Sequence, residues 1–256
     1  MAPRGRASRH TADGIVARLE AEADPANVAG MARYGIEPKR ALGVSAPKLR
    51  ALAREIGRDH ALALALWRSG VREARILAAL VDEPGEVTEA QLERWARGFD
   101  SWDVCDGVCC NLFDRTPFAW EKAAAWSGRR EEFVKRAGFV LMAALAVHDK
   151  LAPDGRFEAF LPVIEREAGD GRNFVKKAVN WALRQIGKRN AALNRRALAS
   201  ARRIRRSDSA SARWVASDAI RELESEPVRR RLAAARTARR RGTKPRAGRP
   251  RKRTSP

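Results

Sequence analysis

Apolar residues recur every three or four positions through most of this chain, and that spacing constrains the fold more than any other feature. In residues 46–56, Leu49, Leu52, Ala53 and Ile56 stand at i, i+3, i+4 and i+7, which is one face of an α-helix. Alternating runs rich in β-branched residues, which would indicate strands, are almost absent. The sequence therefore predicts an all-α protein of about ten to twelve short helices joined by polar loops.

Residues typical of helix starts precede several of these periodic segments. Ser45 is a candidate N-cap with Pro47 early in the helix, Thr88 is expected to begin another helix, and residues 173–189 form a third. Many amphipathic helices of similar length favour antiparallel pairs stacked side by side as a superhelical solenoid over a compact bundle. The concave face of such a stack, lined by basic residues, would suit a long, rod-like ligand.

The charge of the chain is strongly positive. Its 256 residues contain 52 Lys and Arg against 31 Asp and Glu, a net charge of +21. This imbalance points to a polyanionic partner, either nucleic acid or an anionic membrane surface. No segment approaches the roughly 18–20 uninterrupted apolar residues that span a membrane. We therefore expect a nucleic acid as the partner and no membrane.

Both ends of the chain differ in composition from the part between them. Residues 1–10 carry three arginines and no acid, and residues 237–256 carry nine Lys and Arg and no acid. Without those nine charges the net charge is still about +12, so the central part is basic in its own right. We expect a disordered basic arm over 1–10, a helical domain over 11–236 and a disordered basic tail over 237–256.

The tail contains a segment similar to an AT-hook, a short arm that lies in the minor groove of A·T-rich DNA. Its core is Gly248-Arg249-Pro250 followed by Arg251, and narrow A·T minor grooves attract inserted arginines. Ala247 interrupts the usual Arg-Gly-Arg-Pro order, so a generic basic tail explains the segment equally. Either interpretation predicts stronger and more salt-sensitive binding to DNA.

One short segment combines an aromatic ring with a carboxylate, Ser101-Trp102-Asp103-Val104-Cys105-Asp106. With Ser101 as the N-cap, a helix from Trp102 to about residue 112 places Trp102 and Asp106 one turn apart on the same face. A protein that only bound phosphates would gain nothing from a carboxylate there, so the pair suggests chemistry on DNA. The structural alternative is a core tryptophan beside an aspartate that complements the helix dipole.

Two further segments carry candidate DNA contacts. Trp181 stands in mid-helix with three cations on its face, which suits the wall of a groove that packs against nucleic acid; the cations are Lys177, Arg184 and Lys188. Equally, Lys and Arg stems could cover a tryptophan at the edge of the core. Arg136 opens another helix, where it could reach a phosphate or Asp106, although its pattern alone is that of an ordinary surface arginine.

Other chemistries find no support in the sequence. The three histidines are scattered, and the three cysteines all lie in one predicted helix without zinc-ligand spacing or partners for a disulfide framework. No phosphate-binding loop or dinucleotide fingerprint is present. We therefore expect no metal, no cofactor and no nucleotide, and a monomer in the reducing cytoplasm.

Taken in order, these segments resemble the AlkD family of bacterial DNA alkylation repair glycosylases, which are built from HEAT-like helical repeats. The resemblance runs from about residue 31 to residue 223. It is carried by Met31-Ala32-Arg33-Tyr34, Leu42-Gly43-Val44-Ser45-Ala46-Pro47-Lys48-Leu49-Arg50, Ser101-Trp102-Asp103-Val104-Cys105-Asp106, Lys135-Arg136-Ala137 and Lys177-Ala178-Val179-Asn180-Trp181-Ala182-Leu183-Arg184. It implies a HEAT-like α-solenoid.

The resemblance also implies roles for individual residues. Trp102, Asp106 and Trp181 match the cleft residues that lie against the lesion nucleotide, and Arg136 matches a DNA-contacting arginine near them. In the second matching segment we expect Ser45 and Lys48 to contact DNA. Gln185 stands where the family resemblance leads us to expect a glutamate. We expect this residue to support the helix and not to take part in the chemistry.

The activity implied by the resemblance is hydrolysis of the N-glycosidic bond of cationic alkylated purines, 3-methyladenine and 7-methylguanine, in duplex DNA without deep base flipping. Such a base is already a good leaving group, and Asp106 would stabilise the oxocarbenium charge that develops on the sugar. The alternative is a non-catalytic helical-repeat protein that binds DNA structures or A·T-rich DNA. Only the enzyme requires a carboxylate in an anion-binding cleft.

Overall fold

The computed structural model describes residues 10–36 and 40–242, with side chains up to residue 235, and this part of the chain is helical without strands. Two 3₁₀ helices, Ala32–Tyr34 and Phe113–Arg115, accompany the α-helices. The α-helices are α1 (Ala12–Ala21), α2 (Pro25–Met31), α3 (Ala46–Ile56), α4 (His60–Arg68), α5 (Arg72–Val81), α6 (Glu89–Arg97), α7 (Trp102–Asn111), α8 (Ala119–Ser127), α9 (Glu132–His148), α10 (Asp154–Glu158), α11 (Leu161–Glu167), α12 (Asn173–Gly187), α13 (Ala191–Ile204), α14 (Ala210–Leu223) and α15 (Glu226–Gly242).

The all-α prediction is confirmed, but the described chain holds fifteen α-helices, more than the ten to twelve expected. Three of them, α2, α10 and α11, have only five to seven residues. Two turns or fewer show too few apolar positions for a helical period to stand out in the sequence.

The predicted helix starts are correct in position but not always in chemistry. Thr88 caps α6, and its hydroxyl oxygen accepts a hydrogen bond from the Gln91 backbone N–H at 3.2 Å. Ser45 and Ser101 hold the N-cap positions of α3 and α7, yet neither side chain makes a capping hydrogen bond. The Ser101 hydroxyl is buried without a hydrogen-bond partner.

One row of helices packs in succession along the molecule. Helix α3 packs on α5, α5 on α7, α7 on α9, α9 on α12 and α12 on α14. The other helices pack against this row, α4 on α5, α8 on α9, and α13 on both α12 and α14. The fold is thus the predicted stack of helix pairs, and residues on α7, α9, α12 and α14 are brought to neighbouring positions.

Helix α9 lies at the centre of this stack. Its residues 134–146 are all buried, between α7, α8 and α12. A side chain at Gly138 is excluded, because a Cβ atom there would lie 2.5 Å from the Ser127 backbone nitrogen of α8. This close approach holds α9 in a fixed position, and with it the arginine in its second turn.

The residues just before α3 are held against α5. Buried Glu73 accepts hydrogen bonds from the backbone N–H groups of Leu42 and Gly43, each at 2.9 Å. The Asn27 side-chain amide donates to the Gly43 carbonyl at 3.1 Å, so α2 is attached to the same loop. These bonds place the 3₁₀ helix that follows α2 beside the middle of the stack.

The C-terminal boundary differs from the expectation. Helix α15 continues to Gly242, so residues 237–242 of the expected tail are helical. Four of these six residues are alanine or arginine, both good helix formers. Residues 1–9 of the expected arm, and Arg249 and Arg251 of the AT-hook-like segment, lie outside the described residues. None of the described helices combines the length and hydropathy needed to cross a membrane.

Candidate functional site

The carboxylate of Asp106 and the guanidinium of Arg136 form a two-fold hydrogen-bonded ion pair between α7 and α9. Arg136 Nε donates to Asp106 Oδ1 and Arg136 Nη2 donates to Asp106 Oδ2, both at 2.8 Å. Arg136 Nη1 donates to the Phe174 carbonyl of α12 at 2.6 Å. Arg136 therefore connects three successive helices of the row.

The surface-arginine interpretation of Arg136 is wrong, because this residue is only 6% exposed. The expectation that it opens its helix is also wrong, since α9 begins at Glu132. The other expectation from the sequence, that Arg136 reaches Asp106, is confirmed by the ion pair. Its expected contact with a DNA phosphate stays a prediction, and the buried guanidinium favours a role in holding Asp106.

Burial and pairing act in opposite directions on the two partners. Burial raises the pKa of Asp106 above the ordinary value of an aspartate, against the opposing effect of the hydrogen bonds from Arg136. Burial would lower the pKa of Arg136, but its bonds to Asp106 raise that pKa. A charged guanidinium in this position favours the carboxylate form of Asp106, the form that accepts both N–H groups.

Trp102 lies one turn before Asp106 on α7, with its ring fixed at two points. Its indole Nε1 donates a hydrogen bond to the Tyr34 carbonyl at 3.0 Å. The Arg136 guanidinium carbon lies 5.9 Å from the centre of the Trp102 ring, within range of a cation–π contact. The predicted one-turn spacing thus places the indole beside the ion pair.

A cavity of about 410 Å³ opens at this point. Its lining includes three basic residues, Arg33, Arg136 and Lys177. It also includes three aromatic residues, Tyr34, Trp102 and Phe174. Asp106 does not line this cavity itself; its partner Arg136 does, and the Asp106 side chain is 18% exposed. The cavity combines an aromatic surface with positive charge, which suits a nucleotide.

Sequence reasoning missed the segment that completes this cavity, residues 33–35. Gly35 has φ = +68°, and a Cβ atom there would lie 2.9 Å from Phe174 Cζ. The chain's single tyrosine, Tyr34, is 71% exposed at the rim. Arg33 and Tyr34 stand in a segment that carries the resemblance, which was the available signal. Their proximity to Phe174, far along the chain, follows only from the folded stack.

The expected contacts on α3 lie next to this cavity. Ser45 lines a second cavity of about 530 Å³, whose wall shares Arg33 and Tyr34 with the first. Lys48, one turn further along α3, is exposed, and its Nζ lies 3.1 Å from a carboxylate oxygen of Glu22. Ser45 is therefore close to the Trp102 cavity, whereas Lys48 is on the adjoining surface.

The cations expected around Trp181 divide into two groups. Lys177 is exposed and lines the Trp102 cavity. Arg184 instead pairs with Asp218 and Glu222 of α14, and Lys188 also pairs with Glu222. The expected DNA contacts of Arg184 and Lys188 stay predictions, and their ion pairs with the next helix of the row reduce the positive charge that they offer to a phosphate.

Trp181 is half-buried against the hydrophobic core and does not line the cavity beside Trp102. This placement favours the interpretation of Trp181 as a tryptophan at the edge of the core. The structure brings together Trp102, Asp106, Arg136 and Lys177 from three helices, and it leaves Trp181 one helical turn beyond Lys177.

The other reactive groups of the described chain offer no second centre. Among the described residues, no group of three or more His, Cys, Asp or Glu could hold a metal ion. The three cysteines are free thiols near the site. Burial raises the pKa of the Cys109 and Cys110 thiols, which keeps them protonated and unreactive.

The fold also has a match among solved structures. That protein is of a family described as related to the HEAT-like repeat DNA glycosylases, with affinity for branched DNA structures. The two share 18% sequence identity with a TM-score of 0.73, over 87% of this chain and 96% of the other. The likeness establishes a HEAT-like repeat fold. No curated protein matches the sequence significantly.

The sequence itself matches one protein family, described as DNA alkylation repair enzyme, over residues 15–223. The matched range contains both cavities and the Asp106–Arg136 pair, and it ends at the last residue of α14. With most of its length matched, the chain belongs to the DNA alkylation repair enzyme family.

Proposed function

We propose that this protein is a monofunctional DNA glycosylase that hydrolyses the N-glycosidic bond of cationic alkylated purines, such as 3-methyladenine and 7-methylguanine, in duplex DNA. The observation that carries the proposal is the Asp106 carboxylate held by Arg136, whose guanidinium also lies 5.9 Å from the centre of the Trp102 ring. A buried charge pair costs desolvation energy and is a weak source of stability, so a carboxylate retained here favours a role on the substrate.

The residues suit a substrate that is already charged. Alkylation makes the purine a cationic leaving group, and no general acid is needed to protonate it. As the bond to the sugar breaks, positive charge develops on the deoxyribose, and a fixed carboxylate stabilises that charge. A water molecule then adds to C1′ of the sugar and loses a proton, which leaves the free base and an abasic site. The ring of Trp102 would face the cationic nucleotide, to which an indole is attracted through its π-system.

In this proposal Arg136 is a positioning residue. Its two parallel hydrogen bonds hold the Asp106 carboxylate in one orientation, and the third fixes it to the Phe174 carbonyl. Arg33 and Lys177 would bind the phosphates that flank the lesion, with Ser45 on the adjoining surface. Selectivity would come from the charge and instability of the lesion rather than from a deep pocket for a flipped base.

A second candidate function is binding to DNA structures without catalysis. The observation in its favour is that both oxygens of Asp106 already accept hydrogen bonds from Arg136, as they would in a purely structural ion pair. The solved structure with a similar fold comes from a family described by its affinity for branched DNA. This candidate predicts tight binding and no chemistry.

Base release from defined duplexes separates the two candidates. With protein in excess, the glycosylase predicts release of the base from a duplex carrying one 7-methylguanine, and none from a matched duplex carrying the neutral adduct O6-methylguanine. The contrast follows because only the cationic base leaves without protonation. Binding of both duplexes with no release from either would refute the glycosylase and favour the second candidate.

A further inference from the structure

Helices α12 and α14 face each other through two matched stripes of side chains. On α12 the stripe is every fourth residue from Lys176 to Lys188, and on α14 it is Trp214, Asp218 and Glu222. Asn180 donates to Asp218 at 2.9 Å, Arg184 to Asp218 at 3.2 Å, and both Arg184 and Lys188 reach Glu222 at 2.5 Å. Three of the four α12 positions thus meet a carboxylate of α14.

The remaining position, at the N-terminal end of α12, is different. Lys176 faces Trp214, with its ammonium nitrogen 5.3 Å from the ring centre. At the other positions of the stripe an acid neutralises or binds the α12 side chain, whereas here a tryptophan replaces the acid and the positive charge is retained. Asn173 and Lys177, on either side of Lys176 in the sequence, line the Trp102 cavity. Lys176 and Trp214 therefore lie at the end of the stripe that is nearest the Trp102 cavity.

Trp214 is also exceptional among the tryptophans. The chain has seven, and Trp214 is the one whose side chain is exposed, at 42%. Its helix is held in place, because the Ser211 hydroxyl donates to the Asp170 carbonyl at 2.6 Å, in the loop before α12. The exposed indole is therefore a flat apolar surface on a fixed support beside an ammonium group.

We propose that Trp214 and Lys176 form a second nucleic-acid contact, which binds an unpaired nucleotide next to the Trp102 cavity. The base would stack on the exposed face of the indole and the phosphate would bind the Lys176 ammonium, the combination by which proteins hold single strands. Bases within a duplex already stack on one another and are unavailable to the indole. The contact therefore distinguishes DNA with unpaired arms from continuous duplex. This inference rests on the proposed function only because it takes the neighbouring cavity to face DNA.

The test compares the affinity for a blunt duplex with that for the same duplex extended by a short unpaired arm. Trp214→Leu is expected to weaken binding of the armed duplex about tenfold, since stacking of one base contributes roughly one tenfold step in affinity or more. Binding of the blunt duplex should change less than about twofold. Trp214→Tyr, which keeps an aromatic ring, should retain most of the preference, and Leu151→Ala, another exposed apolar residue, should alter neither affinity.

Lys176→Gln gives a second measurement, the dependence of affinity for the armed duplex on salt concentration. Loss of one phosphate contact should reduce the slope of log affinity against log salt by about one. The proposal would be overturned if Trp214→Leu lowered the affinity for the blunt and the armed duplex equally, or lowered neither. Circular dichroism verifies that each variant is folded. Base release from 7-methylguanine duplex should be unchanged in Trp214→Leu. If the wild type releases no base, the proposed function fails, while the preference for the unpaired arm still decides this inference separately.

Discussion

At the scale of single residues, the Asp106–Arg136 pair determines what the site can do. Replacing a buried ion pair with apolar residues is often neutral or stabilising, so stability alone is a poor reason to bury one. Arg136 favours the ionised form of Asp106 and holds it in one orientation, and its guanidinium forms part of the cavity wall. The carboxylate is thereby fixed before substrate binds, which is the condition for electrostatic stabilisation of a cationic transition state.

The pH dependence of base release follows from the state of Asp106. Since the carboxylate is the active form, the rate falls as pH falls through the pKa of Asp106. Burial raises that pKa, so we expect the midpoint above the value of about 3.9 for an ordinary aspartate. Single-turnover rates, with uncatalysed depurination subtracted and the fold monitored by circular dichroism, measure it. A rate that stays constant until ordinary carboxyl groups protonate would contradict this role.

Gly35→Ala tests the contact that completes the cavity. Alanine is strained at φ = +68°, and its Cβ would overlap Phe174, so the Tyr34 carbonyl should move away from Trp102 Nε1. We expect base release to fall about tenfold, with a loss of about 1 kcal/mol in the free energy of unfolding.

Gly70→Ala is the matched control for this substitution. Gly70 has φ = +72°, but the nearest atom to an added Cβ is the end of the flexible Arg40 side chain at 3.6 Å. The control should show the loss of stability without the loss of activity. Equal rates for the two variants would show that the contact of Gly35 with Phe174 is not needed.

At the scale of helices, ion pairs on α9 and the loop before α12 hold the two sides of the site together. Buried Lys135, next to Arg136, pairs with Glu167 at 2.6 Å and with Asp170 at 2.9 Å. Asp170 also accepts hydrogen bonds from the backbone and the guanidinium of Arg172, just before α12 begins. These contacts fix the distance across which Arg136 reaches the Phe174 carbonyl.

Asp170→Asn should therefore destabilise the fold in a pH-dependent way. Hydrogen bonds from Arg172 and Lys135 hold the pKa of Asp170 well below its ordinary range. A lowered pKa stabilises the folded state above the unfolded value of about 3.9, and that stability is lost as pH falls through the lower folded value. We expect a loss of about 2 kcal/mol in the free energy of unfolding at neutral pH, shrinking in acid.

Urea unfolding at neutral pH and near pH 3 measures this loss. Asp13→Asn, at an exposed position in the first turn of α1, removes the same charge and should cost less than about 0.5 kcal/mol. A deficit for Asp170→Asn that does not shrink in acid would show that its ionised form is not what stabilises the fold.

The sequence predicts the positions of the helices better than it predicts the side-chain contacts between them. The one-turn spacing of Trp102 and Asp106 follows from local periodicity, and the structure has it on α7. The bonds from Arg136 to Phe174 and from Trp102 to Tyr34 join residues 38 and 68 positions apart, and no local pattern encodes them. The ion pairs of Arg184 and Lys188 could not be predicted for the same reason, since Asp218 and Glu222 are distant in sequence.

At the scale of the whole molecule, the proposed function divides into two parts: positive charge would attract the DNA, and a few fixed groups would select the lesion. The net charge is +21, and the described core pairs many of its cations with acids, as on α12 and α14. Residues 243–256 contribute six Lys and Arg with no acid. We therefore expect the C-terminal residues to contribute to affinity and the helical stack to contribute the chemistry.

Deletion of residues 243–256 tests this division. Loss of six cations should weaken binding to undamaged duplex and reduce the salt slope of log affinity by up to about five, since each phosphate contact contributes about 0.9. The single-turnover rate of base release at saturating protein should stay close to wild type. A large loss of that rate would mean that these residues act in the chemical step.

The central claim is that the Asp106 carboxylate acts on the substrate, and one pair of variants tests it most directly. Asp103→Asn is the control, because Asp103 lies on the same helix and pairs with a different arginine, Arg72. Base release from 7-methylguanine duplex is compared at saturating protein, after circular dichroism and binding to undamaged duplex show that each variant folds and binds. We predict that Asp106→Asn lowers the rate on the order of 100-fold while Asp103→Asn remains close to wild type. A folded, DNA-binding Asp106→Asn variant that releases the base at the wild-type rate would contradict the account.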